Sequence, residues 1–312
     1  MRVVDPENRS KRGRKNRYIP NLAAAQFKPT EDWSIEKARR EYKKAVFNKG
    51  ADRVVFRDCV KEMGKLPEES VDVIIADPPF GLSFTGKESM YNRDDRFVRD
   101  GYQEIEGDYE EFSRSWILQL PRIMKDTGSA WIFSGWTHLR EILNMINESG
   151  LVLVNHIIWK YPFGVFTRRK FVTSHYHVLF LVKSSKYYFN RIAHYPLDIW
   201  EINRTYRRGE VKNGTKLPEE LIARCIEFTS RPGSLILDPF MGNGTTAVAA
   251  KGTFRHYLGF EINKSMDAVI EANLGLIKLG EFYVPYGDRS DELVTRARQR
   301  YGLDPEKSRI VA

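Results

Sequence analysis

The chain has 312 residues, 42% of them apolar and 12% aromatic, which is enough to bury the core of one large α/β domain or two smaller ones. No apolar run approaches the roughly 18 residues of a membrane span, and the basic N-terminus lacks the apolar segment of a secretory signal. The two cysteines, Cys59 and Cys225, form no metal-ligand spacing. They predict a reducing, cytosolic location and no metal site built on clustered thiolates.

The net charge of +9 is concentrated in two segments. Residues 1–50 hold 14 Lys/Arg against 6 Asp/Glu, and residues 160–212 hold 11 against 3, so the remainder of the chain is acidic. Two basic segments on an acidic body predict a polyanionic partner; a basic tail and a solvated loop are the alternative.

In chain order, strands alternate with helices. Residues 8–17 are basic without a hydrophobic period, which predicts a flexible arm. Ser34 followed by Glu36, with apolar residues at helical spacing, predicts an amphipathic helix over 34–47. Further strands are predicted at 53–56, 71–76, 129–133, 151–159, 177–182, 234–238 and 256–260, and further helices at 109–124, 138–148, 217–229 and 245–251.

Most of these strands are apolar along their whole length, which is typical of strands covered on both faces. Their alternation with helices predicts an α/β fold with a doubly wound, mostly parallel sheet of about seven strands. Residues 184–214 lack a clear period and are rich in aromatic residues, Asn and Arg. They are interpreted as an insertion on the body of the fold.

The first motif is "ADPPFG" at 76–81, which follows the apolar run "VDVII". Proline cannot donate a ladder hydrogen bond, so the strand must end there, with a carboxylate and an aromatic ring beside a stiff backbone. A plain strand-ending turn is the alternative interpretation of this motif alone.

The second motif is "LILDPFMGNGTTAVAA" at 235–250, a strand that ends at Asp238 and is followed by a glycine-bearing loop and a helix from about Thr245. Gly242 and Gly244 allow a tight turn and a close backbone approach to a ligand, and the helix N-terminus favours an anion. About 20 residues on, Glu261 ends the next strand, where an acid can bind ribose hydroxyls. A phosphate-binding P-loop is excluded, because no Gly-Lys-Ser/Thr follows the glycines.

"DPPF" together with "DPFMGNGTT" resembles the amino-group DNA methyltransferases that use S-adenosylmethionine (SAM). The catalytic motif precedes the cofactor motif by about 160 residues, an order similar to that of the permuted beta class. The resemblance covers roughly residues 50–265 and implies a Rossmann-like methyltransferase fold. It also implies a division into a basic arm and helix (1–50), a catalytic half (51–183), a target-recognition insertion (184–212), a cofactor half (213–290) and a C-terminal helix and tail (291–312).

The resemblance implies roles for individual residues. Asp77, Pro78, Pro79 and Phe80 correspond to the catalytic signature. The cofactor would be bound by Asp58, Lys216, Asp238, Phe240, Gly242, Gly244, Thr245, Thr246 and Glu261.

The catalytic residues suit the chemistry of an exocyclic amine, which is a poor nucleophile because its lone pair is delocalised into the ring. The Asp77 carboxylate and the Pro78 carbonyl can each accept one N–H, and preorganised acceptors need no reorganisation as charge develops on nitrogen. Phe80 offers a face on which an extruded base can stack. No metal is expected, and neither cysteine is placed for carbon-5 cytosine methylation.

Double-stranded DNA is the partner that the resemblance implies, in the cytoplasm of a prokaryotic cell. A homodimer and a cognate restriction endonuclease are left open. The predicted DNA contacts are Arg168, Arg169, Lys170, Arg204, Arg207 and Arg208, which lie among aromatic residues. An acid at the first motif position favours adenine N6 as the target. Cytosine N4, a guanine amine of RNA, and a binding module without catalysis are the alternatives.

Overall fold

A computed structural model describes residues 29–45, 50–79, 108–161, 168–169, 171–193, 196–205 and 216–286 of the chain. Its strands are β1 (Arg53–Val55), β2 (Val71–Ala76), β3 (Met124–Ser134), β4 (Val152–Lys160), β5 (His175–Val182), β6 (Ile199–Glu201), β7 (Leu235–Asp238) and β8 (His256–Phe260). They form one sheet in the order β1-β8-β7-β2-β3-β5-β4-β6. Only β5 runs antiparallel to its neighbours, β3 and β4.

The helices between these strands match most of the predicted ones. They are α1 (Ile35–Lys44), α2 (Cys59–Met63), α3 (Tyr109–Ile117), α4 (Leu120–Ile123), α5 (Leu139–Ser149), α6 (Glu219–Thr229), α7 (Thr245–Gly252) and α8 (Asp267–Gly275), with a 3₁₀ turn at Lys264–Met266. The predicted cap of α1 is confirmed, because the Ser34 side chain accepts a hydrogen bond from the backbone N–H of Lys37.

The sheet separates two apolar layers. Alternate residues of β2 divide between them: Val73 and Ile75 pack with α6, α7 and α8, whereas Ile74 and Ala76 pack with α2, α3, α4 and α5. Successive side chains of a strand point to opposite faces, so a strand covered on both faces must be apolar throughout. The predicted doubly wound fold is therefore confirmed.

Two predicted element boundaries are wrong around residues 109–129. The predicted helix is interrupted after Ile117, and a second short helix contains Pro121 in its first turn. Proline has no N–H and clashes with the preceding helical turn, so it begins a helix and does not continue one. Strand β3 then starts at Met124, five residues before the predicted start.

The early start of β3 includes a break in register. Val71 pairs with Met124, but Val73 pairs with Ser129, so the polar stretch between them bulges. Gly128 lies in this bulge, where a Cβ atom would come within 2.9 Å of the Lys125 carbonyl oxygen. A bulge of polar residues carries no apolar periodicity, so the pattern did not reveal it.

Within the described residues the sheet has eight strands, where about seven were expected. The additional strand, β6, is three residues long and forms the edge of the sheet, where it pairs in parallel with β4, from within the segment interpreted as an insertion. Residues 187–190 of the same segment lie against the body. Tyr188 N–H donates to the carbonyl of Thr127, Asn190 N–H donates to that of Phe228, and the Asn190 amide pairs with the backbone of Glu31.

The pairing of β2 with β7 joins the two motif-bearing halves of the sheet. The strands are parallel, with Val73 opposite Ile236 and Ile74 opposite Leu237. Asp72 reinforces the start of this pairing, since its carboxylate binds the Lys125 ammonium at 2.8 Å and accepts the Leu235 N–H at 2.9 Å. One side chain therefore ties β2 to both of its neighbours.

Replacement of Asp72 should separate these two contacts. Asp72→Asn keeps an oxygen for the Leu235 N–H and loses only the partly exposed ion pair, so the free energy of unfolding should fall by about 1 kcal/mol or less. Asp72→Ala also leaves the Leu235 N–H without its acceptor, so the free energy of unfolding should fall by about 1–3 kcal/mol more. Urea denaturation of both variants measures the difference. Equal stability of the two would show that the hydrogen bond to Leu235 contributes nothing.

Candidate active site

Four acidic residues follow four neighbouring parallel strands. Asp58 comes just after β1, Glu261 directly after β8, Asp238 ends β7, and Asp77 comes directly after β2. Because parallel strands end at the same edge, the four acids form a row in the order of the strands. Ligands of open α/β sheets bind at this edge. The predicted adjacency of the two motifs is confirmed by the β2–β7 pairing.

Asp77 has a carboxylate oxygen for which the described residues provide no donor. Its Oδ1 atom is buried and has no hydrogen-bond partner within the described part of the chain. Burial raises the pKa of Asp77 to about 7; the charge of Asp238 raises it further, and that of Arg204 opposes the shift. A buried acceptor without a donor is costly in a folded protein, so Asp77 Oδ1 is a candidate acceptor for a ligand.

Asp238 and Glu261 accept hydrogen bonds from backbone N–H groups in and beside the glycine loop. Asp238 accepts the Phe240 N–H at 2.8 Å, and Glu261 accepts the Gly242 N–H at 2.7 Å and the Asn263 N–H at 2.8 Å. Burial raises the pKa of Asp238 to about 7 against the opposing hydrogen bonds from Thr246 and Phe240, and burial also raises the pKa of Glu261. The loop backbone is thus shaped by buried carboxylates.

The glycine loop itself requires its glycines. Gly242 and Gly244 have φ values of 53° and 86°, in the left-handed region. At Gly244 a Cβ atom would lie 3.1 Å from the Ile270 side chain. Gly244 is also the N-cap of α7 and provides no capping side chain, so the first N–H groups of this helix keep capacity for a ligand.

The remaining predicted cofactor residues have varied surroundings. Thr245 and Thr246 are buried in the first turn of α7, and the Thr245 hydroxyl donates to the Asn243 side chain at 3.0 Å. Asp58 caps α2, since its carboxylate accepts the Lys61 N–H at 3.0 Å. Lys216 is buried at the start of α6, with its ammonium 2.9 Å from the Glu219 carboxylate. The cofactor roles of these residues stay predictions.

Helix α3 contacts both motifs, a role that the sequence analysis missed. The Tyr109 hydroxyl donates to the Pro79 carbonyl at 2.9 Å, and the Phe240 ring packs against Phe112 and edge-on against Trp116. The helical pattern around 109–117 predicts only an amphipathic helix. No local signal identifies the target of its tyrosine, since Pro79 lies 30 residues away.

Part of the predicted DNA-contacting set is described. Arg168 and Arg169 are exposed, whereas the guanidinium of Arg204 lies 5.9 Å from the centre of the Trp159 ring. The effect of Arg204 on the pKa of Asp77 places this arginine near the carboxylate row. Phe80, Lys170, Arg207 and Arg208 lie outside the described residues.

Within the described ranges, no group of three or more His, Cys, Asp or Glu side chains is arranged to hold a metal ion. Likewise, no helix in those ranges is long and apolar enough to cross a membrane.

Comparison with known proteins decides the family. The model of the N6/N4 methyltransferase family, described as DNA methylase, matches residues 71–271, which include both motifs. This chain belongs to the DNA methylase family. It is accordingly an N6-adenine or N4-cytosine type of DNA methyltransferase, and the family assignment from the two motifs is confirmed.

Two curated relatives of this DNA methylase are bacterial. The type II methyltransferase M.HinfI of Haemophilus influenzae is 28% identical over 71% of this chain and 67% of its own length. The type II methyltransferase M2.DpnII of Streptococcus pneumoniae is 29% identical over 71% of this chain and 88% of its own length.

Solved structures share the fold of this DNA methylase. The cytosine-N4-specific PvuII DNA methyltransferase superposes with a TM-score of 0.59 at 16% identity, over 80% of this chain and 96% of the other. The M1.HpyAVI–SAM complex superposes with a TM-score of 0.52 at 20% identity, over 71% and 98%. These matches confirm the predicted Rossmann-like methyltransferase fold.

Substitution of Gly244 should test how tightly the glycine loop is packed. Gly244→Ala forces a Cβ into a left-handed conformation, at a cost of about 1–2 kcal/mol, and also presses it against Ile270, which should add about 1–3 kcal/mol. Gly150→Ala is the matched control, because Gly150 has a φ of 78° with nothing within 4 Å of the added Cβ. Thermal unfolding of both variants measures the steric part. Equal losses of thermal stability in the two variants would show that the loop accommodates the added Cβ without a steric cost.

Proposed function

We propose that this chain transfers the methyl group of SAM to an exocyclic amino nitrogen of a base in double-stranded DNA, with adenine N6 as the preferred target. The observation that carries the proposal is the unsatisfied, buried Oδ1 of Asp77, placed one strand away from a glycine loop that is shaped for a nucleoside ligand. Family membership supplies the reaction class.

The residues at the sheet edge fit SAM. This cofactor combines a ribose diol, a carboxylate, an ammonium group and a sulfonium cation, and when bound it supplies a methyl group activated for attack by nitrogen. Glu261 lies where an acid can accept from ribose hydroxyls. The uncapped start of α7 suits a carboxylate, and the row of four acids favours the positive groups. Asp58, Phe240 and Lys216 complete the proposed binding set.

The chain's own part in the reaction is to hold the amine. The Asp77 carboxylate accepts one N–H, and the Pro78 carbonyl accepts the other, so the nitrogen can become pyramidal with its lone pair free. As positive charge develops on nitrogen, the ionised carboxylate stabilises it without moving. Asp77 is also placed to take the proton that the nitrogen loses. Phe80 is proposed to stack on the base once it has left the duplex.

The target base is assigned as adenine because the motif begins with an acid. Cytosine N4 is the alternative, since the fourth motif residue, Phe80, also occurs with that target in the family that the motifs resemble. An RNA guanine amine is a more distant alternative. Nucleoside analysis after incubation with SAM labelled in its methyl group and either DNA or RNA distinguishes the three; N4-methylcytosine alone would overturn the adenine assignment.

DNA is proposed to approach along the edge that carries the acids and the two exposed arginines. Arg168 and Arg169 precede β5, whose first residue lies at the same edge as the end of β3, because these strands are antiparallel. Their exposure suits phosphate contacts. The recognition role of residues 184–212, the permuted beta class, a homodimer, a cognate endonuclease and a prokaryotic cytoplasmic location stay predictions from the resemblance.

Removal of the Asp77 carboxylate should lower kcat without weakening the binding of SAM. Asp77→Ala removes one acceptor of the amine, so kcat should fall by about 10²–10³-fold, the usual cost of a lost transition-state contact. Asp77→Asn retains an oxygen but no charge and should lose less. Methyl incorporation into DNA measures turnover, and calorimetry measures the Kd for SAM. An Asp77→Ala enzyme with normal kcat would exclude this residue from the reaction.

The pH dependence of the methylase should report the ionisation of Asp77. Its pKa is raised to about 7, so the carboxyl is protonated below that pH and cannot serve as an anionic acceptor. Therefore kcat/KM should fall as the pH decreases from 8 to 6, by up to about tenfold per pH unit once the carboxyl is protonated. In Asp77→Asn the acid limb should flatten, because the side chain at this position no longer titrates. An identical acid limb in both enzymes would assign it to another group.

A further inference from the structure

The face of α3 that contacts the two motifs is continuous. Tyr109, Phe112 and Trp116 lie at i, i+3 and i+7, which places them on one side of a helix. Tyr109 reaches the catalytic motif at Pro79, and the other two rings reach the cofactor motif at Phe240, with ring centres 6.1 Å and 5.2 Å away. One rigid element therefore touches both halves of the site.

The catalytic motif needs such an outside contact. Pro78 and Pro79 have no N–H, so the sheet cannot anchor them through donated hydrogen bonds, and only their carbonyl oxygens remain. The Tyr109 hydroxyl engages the Pro79 oxygen at 2.9 Å. Asp77 Oδ1 has no partner among the described residues, and together with the Pro78 carbonyl it is the acceptor proposed for the substrate.

The position of the tyrosine is itself fixed. Its ring is only 6% exposed and stacks on the His138 ring, with the centres 4.0 Å apart and the planes 14° from parallel. Tyr109 is also the first residue of α3, where Asp108 caps the helix by accepting the Glu110 N–H. A ring confined in this way holds its hydroxyl in one place.

We propose that Tyr109 is a positioning residue for methyl transfer: its hydroxyl fixes the Pro79 carbonyl and thereby the direction in which Asp77 and the Pro78 carbonyl face the amine. The inference rests on the proposed function and assigns to it a residue outside both motifs. Tyr109 does not touch the reacting atoms. Its effect passes through the backbone of a three-residue segment whose two prolines have fixed φ angles, which limits how the backbone can adjust.

The test compares two tyrosines whose hydroxyls each donate one partly buried hydrogen bond to a backbone carbonyl. Tyr109→Phe keeps the ring and its stacking on His138 and removes only the hydroxyl. We expect kcat for DNA methylation to fall by about tenfold to a hundredfold, because a misplacement of about 1 Å costs up to that much. The Kd for SAM and the KM for DNA should stay within about twofold of the wild-type values.

The matched control is Tyr283→Phe. The Tyr283 hydroxyl donates to the Trp33 carbonyl at 2.7 Å, in a cluster with Tyr286 and Phe254 that contains neither motif. Both variants should lose similar thermal stability, and only Tyr109→Phe should lose kcat. His138→Ala, which keeps the hydroxyl but removes the stacked ring, should lose kcat to a smaller extent. Equal kcat values for Tyr109→Phe and Tyr283→Phe would overturn the proposal.

A structural measurement separates this inference from the proposed function. In crystals of Tyr109→Phe, the Pro79 carbonyl should rotate away from its wild-type direction and the Asp77 side chain should shift with it. An unchanged Asp77–Pro79 segment would overturn the inference whatever the enzyme methylates. Absence of methyl transfer by the wild-type protein would instead overturn the proposed function, and the two crystal structures would still decide the role of Tyr109.

Discussion

The parallel pairing of β2 with β7 is the constraint on which the rest of the site depends. The two strands belong to motifs about 160 residues apart, yet Ile74 lies opposite Leu237, so Asp77 and Asp238 end neighbouring strands at one edge. Because register in a sheet covered on both faces is set by its apolar residues, a slip of one residue would turn every buried side chain of β2 to the opposite layer. The packing of the core therefore determines the relative positions of Asp77 and Asp238.

This arrangement concentrates negative charge in a poorly solvated place. Burial raises the pKa values of Asp77 and Asp238 to about 7, with a further contribution from the Asp238 charge at Asp77 and from the Glu261 charge at Asp238, which means that ionised carboxylates at this edge destabilise the fold. The presence of these buried carboxylates is explained if bound ligands supply positive charges and hydrogen-bond donors to them. A cationic cofactor and the N–H groups of a base would do so. The fold carries this cost at the edge where the strands end, and the strands beneath are largely apolar.

Segments far apart in sequence hold the two halves in place from outside the sheet. Helix α3 connects Pro79 to Phe240, and the Glu31 carboxylate binds Arg231 while accepting from the Tyr188 hydroxyl and the Trp33 indole N–H. The segment before α1 is therefore tied both to the chain after β5 and to the loop before β7. The two motif-bearing parts of the chain meet only through contacts between residues far apart in sequence, so such ties help to fix their relative positions.

The sequence by itself determined the elements whose signals are local. Apolar runs marked the core strands, Ser34 marked the start of α1, and two short motifs identified Asp77, Asp238, Gly242, Gly244 and the family. What only the tertiary structure decided depends on partners distant in the chain. The bulge before Ser129, the short strand β6, the proximity of Arg204 to Asp77 and the contact of Tyr109 with Pro79 have no periodic or local signature. Such features are set by which atoms meet once the sheet has formed, and a hydroxyl in a helix pattern does not reveal its acceptor.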